Sequence, residues 1–351
     1  VVPGPGILNT TAALSTAYAC NTRVLAITGQ IPSTSINKGF GMLHEIPEQL
    51  EVMKGLTKHS ARINHPTEVP QKISEAFRQL RSGRPRPVGL EMPMDIMWKK
   101  SEVTLGSRTS GCPAPLPDPD LVEKAAKILG ESQQPMIFVG GGAYEACQEI
   151  KTLAETLQAP VISYQNGRGI LDERHYLAHT NTAGAILWKN CDAAISIGCR
   201  MQAERMSWGM DDALKIIHVD IDPTEINRIM KPDVGLVSDA AFTTRKIIDA
   251  LNKYNLKRTS REEEMLNLKA QAEKLMEEKA GPQMAWLRAI RDVLPDNGLF
   301  VDEFTQVGYV SRVGFPVYNP RSMITPGYQG TLGYGYAMAL GVKVAHPDKP
   351  V

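Results

Sequence analysis

Several features that would define a class of protein are missing from this sequence. No apolar run approaches the roughly 20 residues that a membrane-spanning helix needs. The 39 basic and 38 acidic residues give a formal net charge of +1, so neither nucleic acid nor an anionic membrane is an expected partner. A signal-peptide pattern is also missing at the start, although the first residue is Val1 and a removed leader stays open.

Paired cysteines are missing as well. The five cysteines are widely scattered, and none forms a CxxC pair or a zinc-type spacing. We therefore expect reduced thiols in a cytoplasmic protein and assign no metal ligand within the chain. Cys191 and Cys199 flank an apolar strand and are interpreted as core residues.

The sequence does contain a regular alternation of short apolar strands with helical stretches. This alternation predicts an α/β fold with parallel, doubly wound sheets. The length of 351 residues suggests two or three domains. A proline-rich stretch after Cys112 and a charged helical stretch mark two linkers. The predicted segments are 1–110, 118–255, a linker at 256–281, and 282–351.

Two glycine-rich turns near the ends of the chain are candidate binding elements. Pro3 to Gly6 forms a tight turn, and Asn9 and Thr10 could cap the helix that follows. The next strand ends at Gln30, which is a candidate site residue because ligands of α/β units lie at the carboxyl ends of strands.

The second glycine-rich element is residues 325–341, TPGYQGTLGYGYAMALG, which read as a loop followed by a helix. Gly333, Ala337 and Gly341 recur at i, i+4 and i+8, so a second backbone could approach this face closely. Two interpretations stay open from composition alone. The loop either binds a planar, hydrogen-bonding ligand through its backbone groups, or is a turn before an ordinary buried helix.

Four blocks in this order and spacing resemble the acetolactate synthase-like group of thiamine diphosphate enzymes. They are GPGILNTTAALSTAYACNTRVLAITGQIP, LHEIPEQLEVMKGLTKHS, a middle piece with GGGA, SIGCR and HVDIDPTEI, and the stretch from DEFTQVGYVSRVG to PDKPV. The resemblance implies three doubly wound domains: part of the pyrimidine-binding domain, the central domain, and part of the diphosphate-binding domain. The family's glutamate and Gly-Asp-Gly motif would lie beyond Val1 and Val351. We therefore expect a fragment, incomplete in its first and last domains and inactive alone.

The resemblance also implies a reaction and its cofactors. The expected reaction is decarboxylation of a 2-oxo acid such as pyruvate with carboligation to a second carbonyl, as in branched-chain amino acid biosynthesis. The expected cofactors are thiamine diphosphate, whose thiazolium is an electron sink, and Mg²⁺. A homodimer or homotetramer is expected. A decarboxylase or acyltransferase without ligation, and a non-catalytic nucleotide-binding protein, stay open as alternatives.

The matched positions carry implied roles at the cofactor. Leu332 stands where the family has a bulky apolar residue under the folded cofactor, and Gly330 where backbone groups meet the aminopyrimidine. Glu303 departs from the pattern, because an anion near a diphosphate must turn away or pair with a cation. The implied cofactor-binding set is Pro3, Gly4, Asn9, Glu303, Phe304, Thr305, Gln306, Gly330, Thr331 and Leu332.

Three further positions carry implied roles at the substrate: Gln30, His44 and Lys58. His44 replaces a glutamine of the family, and an imidazole can act as a general acid or base where an amide cannot. His44 could instead be a surface histidine and Lys58 an exposed lysine. Thr34 falls near an arginine of the synthases, which is a second departure.

In acetolactate synthases the central domain holds FAD. Glycines would allow close approach of the dinucleotide, and Arg200 could pair with its phosphates. An ADP-type ligand and an empty domain are the alternatives. The matching positions are Gly140, Gly141, Gly142, Arg200, Asp220 and Asp239.

Overall fold

The computed structural model describes residues 1–106, 110–209 and 213–351. The chain divides into two compact units. Unit 1 comprises Val1–Ala114 and Pro326–Thr331, and unit 2 comprises Pro115–Thr325 and Leu332–Val351. Among the described residues, none of the helices combines the length and apolar character that crossing a membrane requires.

Unit 1 is built on a three-stranded parallel sheet. Its elements are α1 (Pro5–Ala19), β1 (Leu25–Gln30), α2 (Gln49–Leu56), β2 (His59–Arg62), α3 (Val69–Arg81), β3 (Val88–Pro93) and α4 (Met94–Met97). The strand order is β1-β3-β2. In this register Arg62 lies beside Glu91, and Gln30 beside Pro93. These residues therefore share the carboxyl edge of the sheet.

The first helix begins earlier than the sequence suggested. Gly4 is its N-cap residue with φ 60°, and Pro5 occupies its first turn. Proline suits this position because its missing N–H has no partner there in any helix. The prediction that Asn9 and Thr10 cap the helix is therefore wrong, since both lie inside it.

Unit 2 contains a six-stranded parallel sheet in the order β6-β5-β4-β7-β8-β9. The central strands are buried along their whole length, as in sheets covered by helices on both faces. Its elements as far as the sheet extends are α5 (Pro119–Glu131), β4 (Pro135–Val139), α6 (Cys147–Leu157), β5 (Val161–Ser163), β6 (Ala178–Thr180), α7 (Asn181–Leu187), β7 (Ala193–Ile197), β8 (Lys215–Asp220), α8 (Pro223–Ile226), β9 (Val234–Val237) and α9 (Ala240–Leu251). The predicted α/β fold with parallel sheets is confirmed.

The rest of unit 2 surrounds a short pair of parallel strands. Its elements are α10 (Glu262–Val293), β10 (Phe300–Val301), α11 (Gln306–Gly314), β11 (Met323–Ile324) and α12 (Tyr334–Ala345). Most of the predicted charged helical linker lies within α10, which continues beyond it to Val293. A kink at Ala280 interrupts this helix just before Pro282, whose ring cannot continue a regular helical hydrogen-bond pattern. The domain boundaries proposed from sequence stay a prediction.

Helix α12 does not meet the expectation of a buried or closely packed helix. Gly333 and Gly341 would have nothing within 4 Å of an added Cβ among the described residues. Leu332 is 77% exposed and Tyr336 is 79% exposed. The row of small residues therefore lies on an uncovered surface of this chain.

Candidate functional site

The carboxyl edge of the sheet in unit 1 holds a completely buried carboxylate, Glu91, with 0% exposure. Its Oε1 accepts a hydrogen bond from Arg62 Nε at 2.5 Å. Its Oε2 accepts from Gln49 Nε2 at 2.9 Å and, more weakly, from Gln30 Nε2 at 3.4 Å. A buried charge is tolerated when it is paired and hydrogen-bonded in this way.

Gln49, at the first position of α2, connects this carboxylate to two backbone segments. Its Oε1 accepts from the Gly4 N–H at 3.0 Å, and its Nε2 also donates to the Gly29 carbonyl at 2.9 Å. The turn before α1 and the end of β1 are therefore held by one side chain that is 1% exposed.

Two of the predicted substrate residues lie in this region. Gln30 is 3% exposed, and its Oε1 accepts from the Ile31 N–H at 2.8 Å, so both ends of its amide are occupied. His44 has a left-handed backbone with φ 70°. A Cβ at Gly4 would lie 2.6 Å from the His44 carbonyl oxygen, so the two backbones are in close contact. Gly4 thus needs both its positive φ and its missing side chain.

Lys58, the third predicted substrate residue, lies elsewhere. It directly precedes β2 and so stands at the amino end of the sheet, opposite Gln30. Its Nζ donates to the carbonyls of Ser82 and Arg84 at 2.7 and 2.9 Å. The structure does not bring Lys58 together with Gln30 and His44.

The remaining predicted residues of unit 1 lie at α1 and the glycine-rich loop. Pro3 is half-buried beside Gly4, whereas Asn9 and the departing Thr34 are exposed. Thr331 Oγ1 is 2.6 Å from Thr16 Oγ1, which ties the loop to α1. Gly330 has φ 67°, a left-handed conformation that favours glycine.

In unit 2, the departing Glu303 turns its carboxylate toward the start of α12. Its oxygens accept from the N–H groups of Gly335 and Phe304, both at 2.7 Å. The hydrogen bond from Gly335 has the largest effect in lowering the pKa of Glu303, and the bond from Phe304 acts in the same direction. A helix N-terminus favours an anion, so the charge is accommodated within the chain.

The neighbours of Glu303 also have structural partners. Thr305 Oγ1 accepts from the Gly308 N–H at 3.0 Å and caps α11. Gln306 Oε1 accepts from Gln283 at 3.0 Å, and Phe304 packs edge-on against Tyr309. Leu332 differs from them, because this bulky apolar side chain is exposed and available for contact with a cofactor.

Sequence reasoning missed Asp302, which lies at the end of β10 and is 2% exposed. Arg312 Nε donates to its Oδ2 at 3.2 Å, while Oδ1 has no partner in the described parts of the chain. Burial raises the pKa of Asp302 to about 6, against the opposing effect of Arg312. Glu91, Gln49 and Arg62 were missed too. A glutamate inside the apolar strand VGLEMP was the available signal for the first of these.

The positions predicted to contact FAD are used within unit 2. A Cβ on Gly140 or Gly142 would lie 2.6 or 2.7 Å from the backbone of Gly198, so these glycines allow two turns to pack. A Cβ on Gly141 would only make ordinary contact, at 3.4 Å, with Asn166.

The charged positions of that set are also paired. Arg200 donates to the buried Glu225 at 2.7 and 3.2 Å. Asp239 caps α9 by accepting from the Phe242 N–H at 2.8 Å, and Asp220 accepts from the Asp222 N–H at 2.9 Å. The positions predicted to contact FAD thus have partners within unit 2, and FAD stays a prediction.

Across residues 1–106, 110–209 and 213–351, no three His, Cys, Asp or Glu side chains come together as a metal site would require.

Comparison with known families gives two matches. Residues 122–250 match the model described as thiamine pyrophosphate enzyme, central domain. Residues 305–351 match thiamine pyrophosphate enzyme, C-terminal TPP binding domain. The exposed Leu332 and the glycine-rich start of α12 lie within the second match.

Curated relatives align with nearly the whole chain. A probable acetolactate synthase large subunit of Methanocaldococcus jannaschii is 31% identical over 98% of this chain and 62% of its own length. An acetolactate synthase of Arthrospira platensis is 31% identical, covering 99% of this chain and 63% of the relative. A probable 2-ketoarginine decarboxylase of Pseudomonas aeruginosa is 29% identical over 100% of this chain and 64% of the relative.

The chain thus spans a little less than two thirds of the length of these relatives, at 62 to 64%. Its central and C-terminal matches belong to the same enzyme family, and the relatives above are named as acetolactate synthases and a probable 2-ketoarginine decarboxylase. The chain therefore belongs to the family of thiamine pyrophosphate enzymes.

Proposed function

We propose that this chain carries part of a thiamine diphosphate-dependent enzyme that decarboxylates a 2-oxo acid and ligates the product to a second carbonyl. The alignment with acetolactate synthases over 98 to 99% of the chain carries this proposal. The grouping of Gly4, Gln30 and His44 at the carboxyl edge of one sheet supports it, because α/β proteins bind ligands at that edge.

When bound, thiamine diphosphate supplies the electron sink for decarboxylation. The residues of unit 1 proposed to contact it are Pro3, Gly4, Gly330 and Thr331. In unit 2, Leu332 is proposed by itself as an apolar contact for a cofactor, because its side chain is uncovered. Glu303 would stay turned toward α12, which keeps its charge away from a diphosphate. We propose Mg²⁺ as the counter-ion of the diphosphate and assign it no ligand in this chain.

His44 is the proposed proton donor and acceptor at the substrate, since an imidazole can both give and take a proton. Gln30 contributes through its backbone position, because both ends of its amide are engaged. The proposed substrate is a small 2-oxo acid such as pyruvate.

The test supplies the natural protein that contains this sequence with thiamine diphosphate, Mg²⁺ and a panel of 2-oxo acids, and measures released CO₂ and the organic product. Acetolactate from pyruvate would support ligation. Absence of CO₂ from every acid of the panel would overturn the proposal for this chain.

A second candidate is decarboxylation without ligation, with release of a free aldehyde. The 2-ketoarginine decarboxylase among the relatives supports it, as does His44 in place of a glutamine of the synthases. The same product analysis separates the candidates, because a free aldehyde and acetolactate are readily distinguished.

We also propose a homodimer or homotetramer. Leu340 and Val344 of α12 are 54% and 83% exposed, and they continue the apolar row of Leu332 and Tyr336 at helical spacing. The variant Leu340→Glu should reduce the mass measured by light scattering, whereas the same substitution at the exposed Lys343 should not. An unchanged mass for Leu340→Glu would contradict this interface.

FAD and cytoplasmic location stay predictions of the sequence resemblance. Because the matching glycines and Arg200 have internal partners, we derive no flavin chemistry. The visible absorbance spectrum of the purified protein tests this point, since a bound oxidised flavin absorbs visible light and the protein without it does not.

A further inference from the structure

The side chains beneath the proposed site form a hydrogen-bond network in which the direction of each bond, from donor to acceptor, is fixed. Glu91 of β3 only accepts hydrogen bonds, so the Gln49 amide must turn its NH₂ group toward Glu91. The same NH₂ group reaches the Gly29 carbonyl, and the amide oxygen is left facing the Gly4 N–H. Each donor in this chain of contacts therefore meets an acceptor.

The fixed orientation of these amides also determines their hydrogen bonds to the backbone of two segments. Gly4 belongs to the turn before α1, and Gly29 and Gln30 end β1. Gln30 repeats the arrangement, because its NH₂ group faces Glu91 and its oxygen faces the Ile31 N–H. Arg62 approaches the other oxygen of Glu91 and neutralises the buried charge.

We propose that Glu91 is a positioning residue that acts through the Gln49 and Gln30 amides to hold the Gly4 turn and the end of β1 in the geometry the cofactor and substrate require. The catalytic part of this inference rests on the proposed function. The structural part does not, since it concerns the free chain.

The sharpest variant is Glu91→Gln, which preserves shape and changes polarity. Its amide oxygen can still accept from Arg62, but its NH₂ group then faces the NH₂ groups of Gln49 and Gln30. If Gln49 turns over to avoid this, it presents a donor to the Gly4 N–H, which is also a donor. If Gln49 does not turn over, the two NH₂ groups repel each other and push its amide, with the oxygen that Gly4 needs, out of place. The Gly4 N–H therefore loses its acceptor in either case.

A second substitution can restore part of it. In Glu91→Gln with Gln49→Glu, the new carboxylate accepts from both residue 91 and the Gly4 N–H. The Gly29 carbonyl still lacks its donor. A structural role limited to filling space would not produce this selective recovery.

The first experiment is amide hydrogen exchange of the chain without cofactor, read at Gly4 and Ile31. Loss of one hydrogen bond should speed exchange at both amides about tenfold in Glu91→Gln. The double variant should recover the Gly4 amide to within about threefold of wild type, in line with one restored bond. Tyr18→Phe, which removes a hydrogen bond to Arg86 in the same unit, is the matched control and should leave both amides unchanged.

The inference is overturned if Gly4 exchange in Glu91→Gln equals that of wild type. If Glu91→Gln does not fold, Gln49→Leu replaces it, since this variant keeps the pair of Glu91 with Arg62 and removes the bonds that connect Glu91 to Gly4 and Gly29. Faster exchange at Gly4 then supports the inference, and unchanged exchange overturns it.

The second experiment measures kcat and KM for the 2-oxo acid found active, with saturating thiamine diphosphate. Glu91→Gln should lower kcat/KM by about tenfold to a hundredfold, because displaced reacting groups lose much of their advantage, and the double variant should recover part of it. Unchanged kcat/KM in Glu91→Gln, with altered exchange, would overturn the catalytic part alone. Both proteins are measured as the natural protein that contains this sequence. If that protein without substitution turns over no 2-oxo acid, the proposed function fails, and the exchange experiment still decides the structural part.

Discussion

Each unit buries a glutamate completely, and the two glutamates have opposite surroundings. Glu91 of unit 1 accepts hydrogen bonds from Arg62, Gln49 and Gln30. Glu204 of unit 2 is also 0% exposed, but only one of its oxygens is bonded, by the Tyr164 hydroxyl. Its Oε1 has no partner in the described part of the chain, and burial raises its pKa to about 7.

The arginines differ in the same way. Arg62 is directed at Glu91 by the register of β2 and β3. Arg205 follows Glu204 in sequence, yet it donates to the Met230 carbonyl, and its Nε and Nη2 have no partner among the described residues. The register of two adjacent strands thus pairs Arg62 with Glu91. Glu204 and Arg205 are neighbours in the sequence and yet form no such pair. A buried carboxylate in an apolar sequence does not by itself reveal which of these environments it will have.

The largest expected effect comes from removing the paired carboxylate. Glu91→Ala leaves Arg62 without its anion and two amides without an acceptor. We expect the free energy of unfolding to fall by about 3–5 kcal/mol, as when one partner of a buried ion pair is deleted. Urea unfolding followed by circular dichroism measures this change. A loss below about 1 kcal/mol would mean that the network is no better satisfied than the surroundings of Glu204.

Removing the arginine should have a smaller effect. Arg62→Met leaves Glu91 bonded to Gln49 and Gln30, and the Arg62 side chain is itself 22% exposed. We expect a loss of about 2–3 kcal/mol, since a charged hydrogen bond is lost while others remain. The same urea titration measures it. A loss as large as that of Glu91→Ala would show that the amides contribute little to holding the carboxylate.

The raised pKa of Glu204 should make the free energy of unfolding depend on pH. Its pKa of about 7 in the folded state lies above the ordinary glutamate pKa of 4.5, so between these values the folded state keeps a proton that the unfolded state has released. This group therefore lowers stability as pH rises from 4.5 to 7, and its destabilising effect is complete above pH 7. Glu204→Gln should remove this dependence, which amounts to about 2–3 kcal/mol between pH 4.5 and 7.

The measurement is the free energy of unfolding of wild type and Glu204→Gln at several values of pH between 4.5 and 8. The difference between the two proteins should grow in favour of the variant as pH rises. A constant difference would contradict the raised pKa. Glu91→Gln, measured in the same buffers, provides the comparison with the paired carboxylate.

The smallest expected effect concerns Glu303, whose carboxylate lies nearer to solvent and meets the start of α12. Glu303→Gln keeps an oxygen for the Gly335 N–H and loses the charge that the helix terminus favours. We expect a loss of about 0.5–1 kcal/mol, reduced by added salt. Thermal unfolding at low and high salt measures it. A loss that does not change with salt would rule out the helix-terminus explanation.

The sequence predicted the alternation of strands and helices well, because apolar runs and glycine turns are local signals. It also predicted the resemblance to a thiamine diphosphate enzyme, which the family matches confirm. It failed at the start of α1, where Asn9 and Thr10 are the predicted caps and Gly4 is the N-cap residue of the structure. Proline at a first helical turn and glycine before it were the better signal.

The partners of the site residues could not be predicted. Gln30 was recognised from a motif, but its buried amide depends on Glu91, which is 61 residues away. Gln49 lies 45 residues from Gly4, and nothing in the spacing links them. Lys58 carries a matching motif, yet the parallel register puts it at the opposite edge of the sheet from Gln30.

By itself, then, the sequence determined the α/β class, the order of the elements and the family, since these depend on local patterning and on ordered motifs. Only the tertiary structure decided that Glu91 joins Arg62, Gln49 and Gln30, and that Glu303 turns to α12. The physical reason is that a buried polar group takes its partners from whatever segments folding brings within about 3 Å of it.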